Sequence, residues 1–387
     1  MSKWARIAVM VVATWLGVGG ASGSRAESPQ EPWIHIGAEY LLWYSPQQKI
    51  PTPLVSTGAV TDSFPGAIGQ PGTTILYGGP GTVDPSAMFQ NGVRLTFGIG
   101  IDADALNALD GSFLLLANAR GAKTFASDGG ADSLLLARPF INLGTNGEDA
   151  DPIAFPGTTS GQITISTLRQ MLGGDLNWRY QYYSWGESRI ALLFGGRCFV
   201  LDDTLTIAAS STLLPATDPT GTTFTFHERY RTHNVFCGGQ VGAEYSLWVG
   251  PVEFLAAGKL AIGGTNESLT TNATSTVRNS AGLFLSSDRA LYLAPGNIGR
   301  FSDTSFALMP EVNLKLALDV NRNLRFTVGY TYIALTQAAR AAEQIDSRAT
   351  PQVVGAPSTE GPAPATPDIH SRYFWAHGLD VGLRFSF

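Results

Sequence analysis

Charge is what this chain has least of. Asp, Glu, Lys and Arg make up 14% of its 387 residues, against about 25% in an ordinary soluble domain. The net charge of −6 carries no basic surplus, so a nucleic-acid partner is not expected. Two cysteines, Cys198 and Cys237, are too few for a disulfide scaffold. The five histidines, His35, His227, His233, His370 and His377, show no metal-ligand spacing such as H-E-x-x-H. No serine sits in a G-x-S-x-G elbow. After the first twenty residues no apolar run is long enough for a membrane helix. These absences predict no enzyme, no metal site and no cofactor.

Glycine and phenylalanine are plentiful instead, at 44 and 20 residues. With little charge and no long helix, the composition is all-β. The chain opens "MSKWARIAVMVVATWLGVGG", with Lys3 and Arg6 ahead of an apolar run over residues 7–18. Ser24 and Ala26 then occupy the −3 and −1 positions of a cleavage site. The run is shorter than the ~20 residues of a spanning helix. Residues 1–26 are therefore expected to be a cleaved secretory signal peptide, with 27–387 the exported domain. No cysteine follows the apolar run, so no lipoprotein is expected.

Period-two alternation recurs in stretches of about ten residues, the length of a tilted membrane-spanning strand. "VRLTFGIGID" puts Val93, Leu95, Phe97, Ile99 and Ile101 on one face, and Arg94, Thr96, Gly98, Gly100 and Asp102 on the other. "EVNLKLALDVNRNLRFTVGYTY" reads as a hairpin turning at 321–323. Segments near 33–44, 93–102, 112–118, 171–183, 189–201, 223–232, 235–249, 252–263, 268–277, 305–320, 324–336 and 372–387 predict about twelve strands, within a range of 10–14. In that order a whole strand separates Cys198 from Cys237, so no bond is expected. A soluble sandwich also alternates, but it has no reason to sort its connections by length. Here long connections (45–92, 119–170, 202–222, 278–304 and 337–371) fall on one side and tight ones on the other, with Gly250-Pro251 the exception. That is the pattern of a single closed antiparallel transmembrane β-barrel with short periplasmic turns and long external loops.

The C-terminus "HGLDVGLRFSF" fits the same reading. Leu379, Val381, Leu383, Phe385 and Phe387 alternate with polar residues and glycine. A last strand must pair with the first, because an open edge in lipid leaves backbone groups unsatisfied. The terminal aromatic is similar to the insertion signal of bacterial outer-membrane barrels, which implies barrel-assembly machinery as a partner beside outer-membrane lipid. A homo-oligomer stays open. Interfacial aromatic girdles are expected from Trp33, Phe385 and Phe387 at one rim, and from Trp43, Tyr44, Tyr373 and Trp375 at the other. One stretch is awkward: in "TFTFHERYRTHN" Phe224 and Phe226 share a face with Glu228, which requires a bulge or a strand that sits high.

If the apolar faces meet lipid, the opposite faces line a lumen. That places Glu39, Arg94, Asp102, Asp175, Arg179, Arg197, Glu253, Lys259, Glu311, Lys315, Asp319, Arg325, Asp380 and Arg384 inside or at its rims. Mixed charge suits a weakly selective pore, and equally an Arg–carboxylate network that fills the barrel. About eight strands leave room only for side chains, while 16–18 leave a channel, so twelve decides nothing. "FPGAIGQPGTTILYGGPGT" lacks the Gly-Lys-Ser/Thr of a phosphate loop and reads as an external loop or an inward-folded constriction centred on Ile75 to Tyr77. "NGEDADP" gathers Glu148, Asp149 and Asp151 without EF-hand spacing and reads as a solvated loop. "APSTEGPAPATPD" is a Pro/Ala-rich loop. His377 falls in the outer girdle, where a hydrolase histidine would also be useful.

"GAEYLLWY", "PGAIGQPGTTILYGG", "NGVRLTFGIGID", "LLLARPFIN", "GGDLNWRY", "LLFGGRCFVLDDTLTI", "RTHNVFCGGQVGAEY", "MPEVNLKLAL" and "FWAHGLDVGLRF" occur in this order. Together they resemble the bacterial beta-barrel porin family numbered seven in its series, over nearly the whole exported chain. The resemblance implies an outer-membrane barrel and no catalytic residues. The expected function is passive diffusion of small hydrophilic solutes. The alternatives are a closed structural or adhesive barrel that displays its loops, and an outer-membrane hydrolase.

Overall fold

Alternating residues can bury one face only if the strand finds neighbours on both edges, and here every long strand does. A computed structural model describes residues 34–102, 106–218, 221–350 and 365–387. The expected leader, 1–26, Trp33 and most of the Pro/Ala-rich loop lie outside those residues. Ten strands form one ring: β1 (Ile34–Tyr44), β2 (Phe89–Gly100), β3 (Asn107–Ser127), β4 (Thr159–Trp185), β5 (Ser188–Leu213), β6 (Thr223–Val249), β7 (Val252–Arg278), β8 (Gly299–Asp319), β9 (Leu324–Ala339) and β10 (Ser371–Ser386). Each pairs antiparallel with the next in chain order, and β10 returns to pair with β1. Ile36 thus stands between Phe97 and Phe385 on the outer face, and the alternating C-terminal residues have their partner.

The ring has ten strands, the low end of the expected 10–14 and two below its centre, for a specific reason. The segments 223–232 and 235–249 are a single strand, β6, and 252–263 and 268–277 are a single strand, β7. Their ladder continues without a break through Asn234, which stands opposite both Leu201 and Glu267. Apolar alternation stops at "RTHN" and "GGTN", but the hydrogen-bonded strand does not. The change corrects the cysteine expectation too: Cys198 on β5 and Cys237 on β6 are directly opposed and joined by a disulfide. It also removes the loop exception. The connections 101–106, 186–187, 250–251 and 320–323 share one end of the ring with its chain ends, the turn end. The connections 45–88, 128–158, 214–222, 279–298 and 340–370 share the other, the loop end.

The ring is tall on one side. β4 to β7 run 26 or 27 residues, against 11 and 12 for β1 and β2. Only about 9–11 residues are needed to cross a bilayer, so the tall strands stand well beyond the apolar band. Against their inner face packs a second sheet, built from Val55–Thr57, Thr74–Tyr77, Leu136–Asn142, Gly147–Ala154 and Arg348–Ala349. Gly78, which follows the second of these, has φ +90, and a Cβ there would sit 2.3 Å from the Thr52 carbonyl oxygen; only glycine allows this turn. Leu54, Leu136, Phe140 and Ile153 of this cap bury against Ile163, Ile165, Leu205 and Ile207 of the wall. "TFTFHERYRTHN" is the wall's upper part: Glu228 and Tyr230 are buried inside it, so the strand sits high and needs no bulge.

The disulfide gives a direct check. Denatured but unreduced protein is expected to take up no maleimide-PEG, and two adducts per chain after reduction. Adducts before reduction would mean that Cys198 and Cys237 are not bonded.

Candidate functional site

The functional candidate is the interior of the ring, and side-chain parity builds it. Glu39 stands opposite Arg94 across the β1–β2 ladder, and both point inward. Arg94 Nη1 donates to Glu39 at 3.2 Å and to Asp380 at 3.3 Å. Its guanidinium lies 5.4 Å from the Trp43 ring centre, while Trp43 Nε1 donates to Asp380 at 2.8 Å. Lys315 pairs with Glu39, and the Thr331 hydroxyl donates to Asp380. A second group centres on Asp175, which accepts from Lys259 at 2.7 Å, from Gln240 at 3.1 Å and from Ser112. Lys259 also lies 3.6 Å from Glu311, which pairs with Arg197. Between the two groups is a cavity of about 110 Å³, bordered by His35, Lys259, Lys315 and Arg384, with room for a few waters.

Glu39, Arg94, Asp175, Arg179, Arg197, Glu253, Glu311 and Asp380 are buried on this inner face; Lys259, Lys315, Arg325 and Arg384 are half-buried on it. Arg179 pairs with Asp110 at 2.8 Å, and Arg325 with Glu253 and with the exposed Asp319 at the rim. Asp102 is the exception. It sits in the connection 101–106, where its carboxylate accepts from the Asn107 backbone and side-chain nitrogens, so it closes a turn and lines no lumen. Trp43 corrects another expectation: it is fully buried inside the ring and belongs to no girdle. Its parity with Glu39 and Leu41 was the signal. Asp110 was missed because its strand starts five residues earlier than the apolar pattern does.

Toward the loop end the polar network gives way to a dry layer. Leu41, Leu114, Met171, Phe199, Phe236, Ala261, Met309, Ile333 and Phe374 meet in one buried cluster, one residue from each ring strand except β2. Phe199 on β5 and Phe374 on β10 come from opposite walls, yet their rings stack with centres 6.5 Å apart. Side chains therefore fill the ring from wall to wall. Above this layer Arg169 donates to the Pro46 and Ala87 carbonyls at 2.6 and 3.3 Å, and Arg340 pairs with Asp203. Both arginines tie the long connections down onto the wall.

The cap is locked by a buried ion pair. Arg138 pairs with Glu228, both side chains 0% exposed. Tyr292 packs under Arg138, 4.5 Å from its ring centre. Its backbone nitrogen donates to Glu228 at 2.8 Å and its hydroxyl to the Pro139 carbonyl at 2.8 Å. Wall, cap sheet and the 279–298 connection thus share one polar joint. Asp151 faces Arg138 across its own ladder. Burial pushes its carboxyl up to about 6, with Glu228 and Asp149 adding to the rise and Arg138 opposing it. "NGEDADP" is accordingly a strand of the cap, and among the described residues no group of three or more His, Cys, Asp or Glu could hold a metal. Thr74–Tyr77 pairs with Val55–Thr57 in the cap sheet, with Ile75 exposed. His377 stacks on Trp375 at 5.2 Å and accepts or donates to the Tyr330 hydroxyl on the outer face.

The family described as Putative beta barrel porin-7 has a model that matches residues 33–387, and the chain belongs to that family. Among curated proteins none matches it. Among solved structures, the outer membrane protease OmpT of Escherichia coli aligns with 95% of this chain and 100% of its own, at 8% identity and a TM-score of 0.39. A FadL homologue of Pseudomonas aeruginosa aligns over 92% and 93%, at 7% identity and 0.22. The transport unit of the autotransporter AIDA-I of Escherichia coli aligns over 99% and 97%, at 10% identity and 0.21. At these scores the likeness carries no residue roles to this chain.

Two measurements follow from this geometry. Arg94→Ala leaves Glu39 and Asp380 facing a gap, and removing one partner of a buried pair costs about 3–5 kcal/mol. Urea unfolding of the refolded protein should show a loss of that size, and a loss below about 1 kcal/mol would mean the network is solvated. For Asp151, the folded state holds the proton more tightly than the unfolded chain, whose ordinary value is 3.8. Cap stability should therefore fall as pH rises from about 4 to about 6 and then level off. Hydrogen exchange over residues 136–154 reads this, and Asp151→Asn should flatten the slope.

Proposed function

We propose that this chain is a closed outer-membrane barrel whose role is to hold an ordered cap at the cell surface, and that it is not an open diffusion pore. Membership of an outer-membrane barrel family, the export signal expected from the sequence and the sorting of connections all support a ring inserted with its loop end outward. The observation that carries the closed reading is the Phe199–Phe374 stack at the centre of a dry layer fed by nine strands. Ten strands also lie near the narrow end of the range, where side chains fill the interior. Below that layer the inner acids and bases are paired with one another, so a solute path would have to break several of these pairs at once.

On this reading the inner charges are structural, the chain needs no cofactor and it catalyses nothing. Its partners are outer-membrane lipid and, during insertion, the barrel-assembly machinery. The tall wall and its cap are then the working surface, a soluble-like body of several connections held by one membrane anchor.

Planar-bilayer recording tests this. Folded wild-type protein is expected to give no conductance steps, while Phe199→Ala combined with Phe374→Ala and Leu41→Ala should open small ones. Reproducible steps from the wild type that scale with salt would replace the closed reading with the pore.

A further inference from the structure

Among the described residues, most interior cations of the ring are paired with an acid, while most arginines of one outer-face row are not. Along one hydrogen-bonded row the residues of six successive strands are Arg120 on β3, Leu168 on β4, Thr204 on β5, Arg231 on β6, Thr270 on β7 and Arg300 on β8. Arg229 stands one outward position above Arg231 on the same strand. All four arginines are exposed. Among the described residues Asp202 is the one acid that engages any of them, pairing with Arg231 at 3.1 Å. Arg120, Arg229 and Arg300 have no acidic partner among the described residues. In a chain of net charge −6, this is a concentrated basic surface.

Its height is as informative as its sign. Arg120 lies five residues beyond Leu115, Arg231 four beyond Val235 and Arg300 six beyond Phe306, each of these being an outward apolar residue of the same strand. At about 3.3 Å per residue and a tilt near 45°, the arginines stand about 10–15 Å past the apolar band. The headgroup layer is about 5–8 Å deep on each side, so their backbone stands a few ångströms above it, and the long arginine side chains reach back down to the phosphates. Arg231 and Arg300 are two strands apart, about 10 Å, so one headgroup with more than one phosphate can meet both. Guanidinium forks suit phosphate oxygens.

We propose that the outer face of β3 to β8, just above the apolar band, docks the phosphates of anionic lipid headgroups in the leaflet around the loop end. This rests on the loop end facing outward in the membrane, but not on the lumen being shut, so lipid binding and conductance report on the two separately. Binding anchors the tall side of the ring at a set depth, and the disulfide between Cys198 and Cys237, six residues below Arg231 on β6, ties β5 to β6 in the wall it docks against.

The test titrates folded protein in neutral detergent with lipid A, and with the same lipid after its phosphates are removed. The phosphorylated form should bind at least about tenfold more tightly, with an affinity that weakens as salt rises. Arg229→Gln combined with Arg300→Gln should lower that affinity about tenfold, while Arg322→Gln at the turn end leaves it unchanged. Circular dichroism and heat-shifted gel mobility verify that each variant is folded. Equal binding of the two lipids, or an equal loss in the Arg322 variant, would overturn the proposal. So would displacement of the lipid by soluble heparin at a matched phosphate or sulfate concentration, because the surface would then recognise any polyanion.

Discussion

The pairing of β10 with β1 is the constraint on which the rest depends. A strand edge in lipid has no water to satisfy it, so the ladder from Ile34–Tyr44 to Ser371–Ser386 is what makes the other nine pairings stable together. Once the ring is complete, parity has no freedom left. Each residue points in or out, and a slip of one position would exchange the two faces. Glu39, Leu41 and Trp43 are inside because Tyr40 and Leu42 are outside. The strand number then sets the width, and the width decides that Phe199 can reach Phe374.

The tall strands change their burial rule halfway along. In the lower half of β6, Val241, Tyr245 and Val249 face out, while Gln240 and Ser246 face in. In its upper half the order is reversed: Thr225, Arg229 and Arg231 face out, while Phe226, Glu228 and Tyr230 face the cap. The cause is the solvent on the outer side. Lipid there demands apolar residues outside and tolerates charge within a satisfied network. Water there demands the reverse, a protein core inside. Glu228 is acceptable within that core because Arg138 and the Tyr292 backbone complete its hydrogen bonds.

This reversal explains where the sequence could be read and where it could not. Where strands run through the apolar band, period-two alternation marks them plainly, and Val93 to Ile101 or Leu379 to Phe385 needed no structure. The same rule failed at "RTHN" and "GGTN", because leaving lipid looks, in a single sequence, like ending a strand. Splitting β6 and β7 there produced two extra strands, an exception at Gly250-Pro251 and a wrong separation of Cys198 from Cys237. Inward charges were legible one by one, since each sits opposite an apolar neighbour on its own strand. Their pairing was not, because Arg94 and Asp380 are 286 residues apart in the chain.

The sequence by itself determined an all-β chain, the faces of its membrane-crossing segments, the sorting of long and short connections, and the need for a terminal strand that pairs. These follow from local periodicity and composition, which one strand carries alone. Only the tertiary structure decided the number of strands, the filling of the lumen, the cap and the row of outward arginines. Each of these depends on register between strands, and register is settled by ring closure and packing across the lumen, which no single strand records.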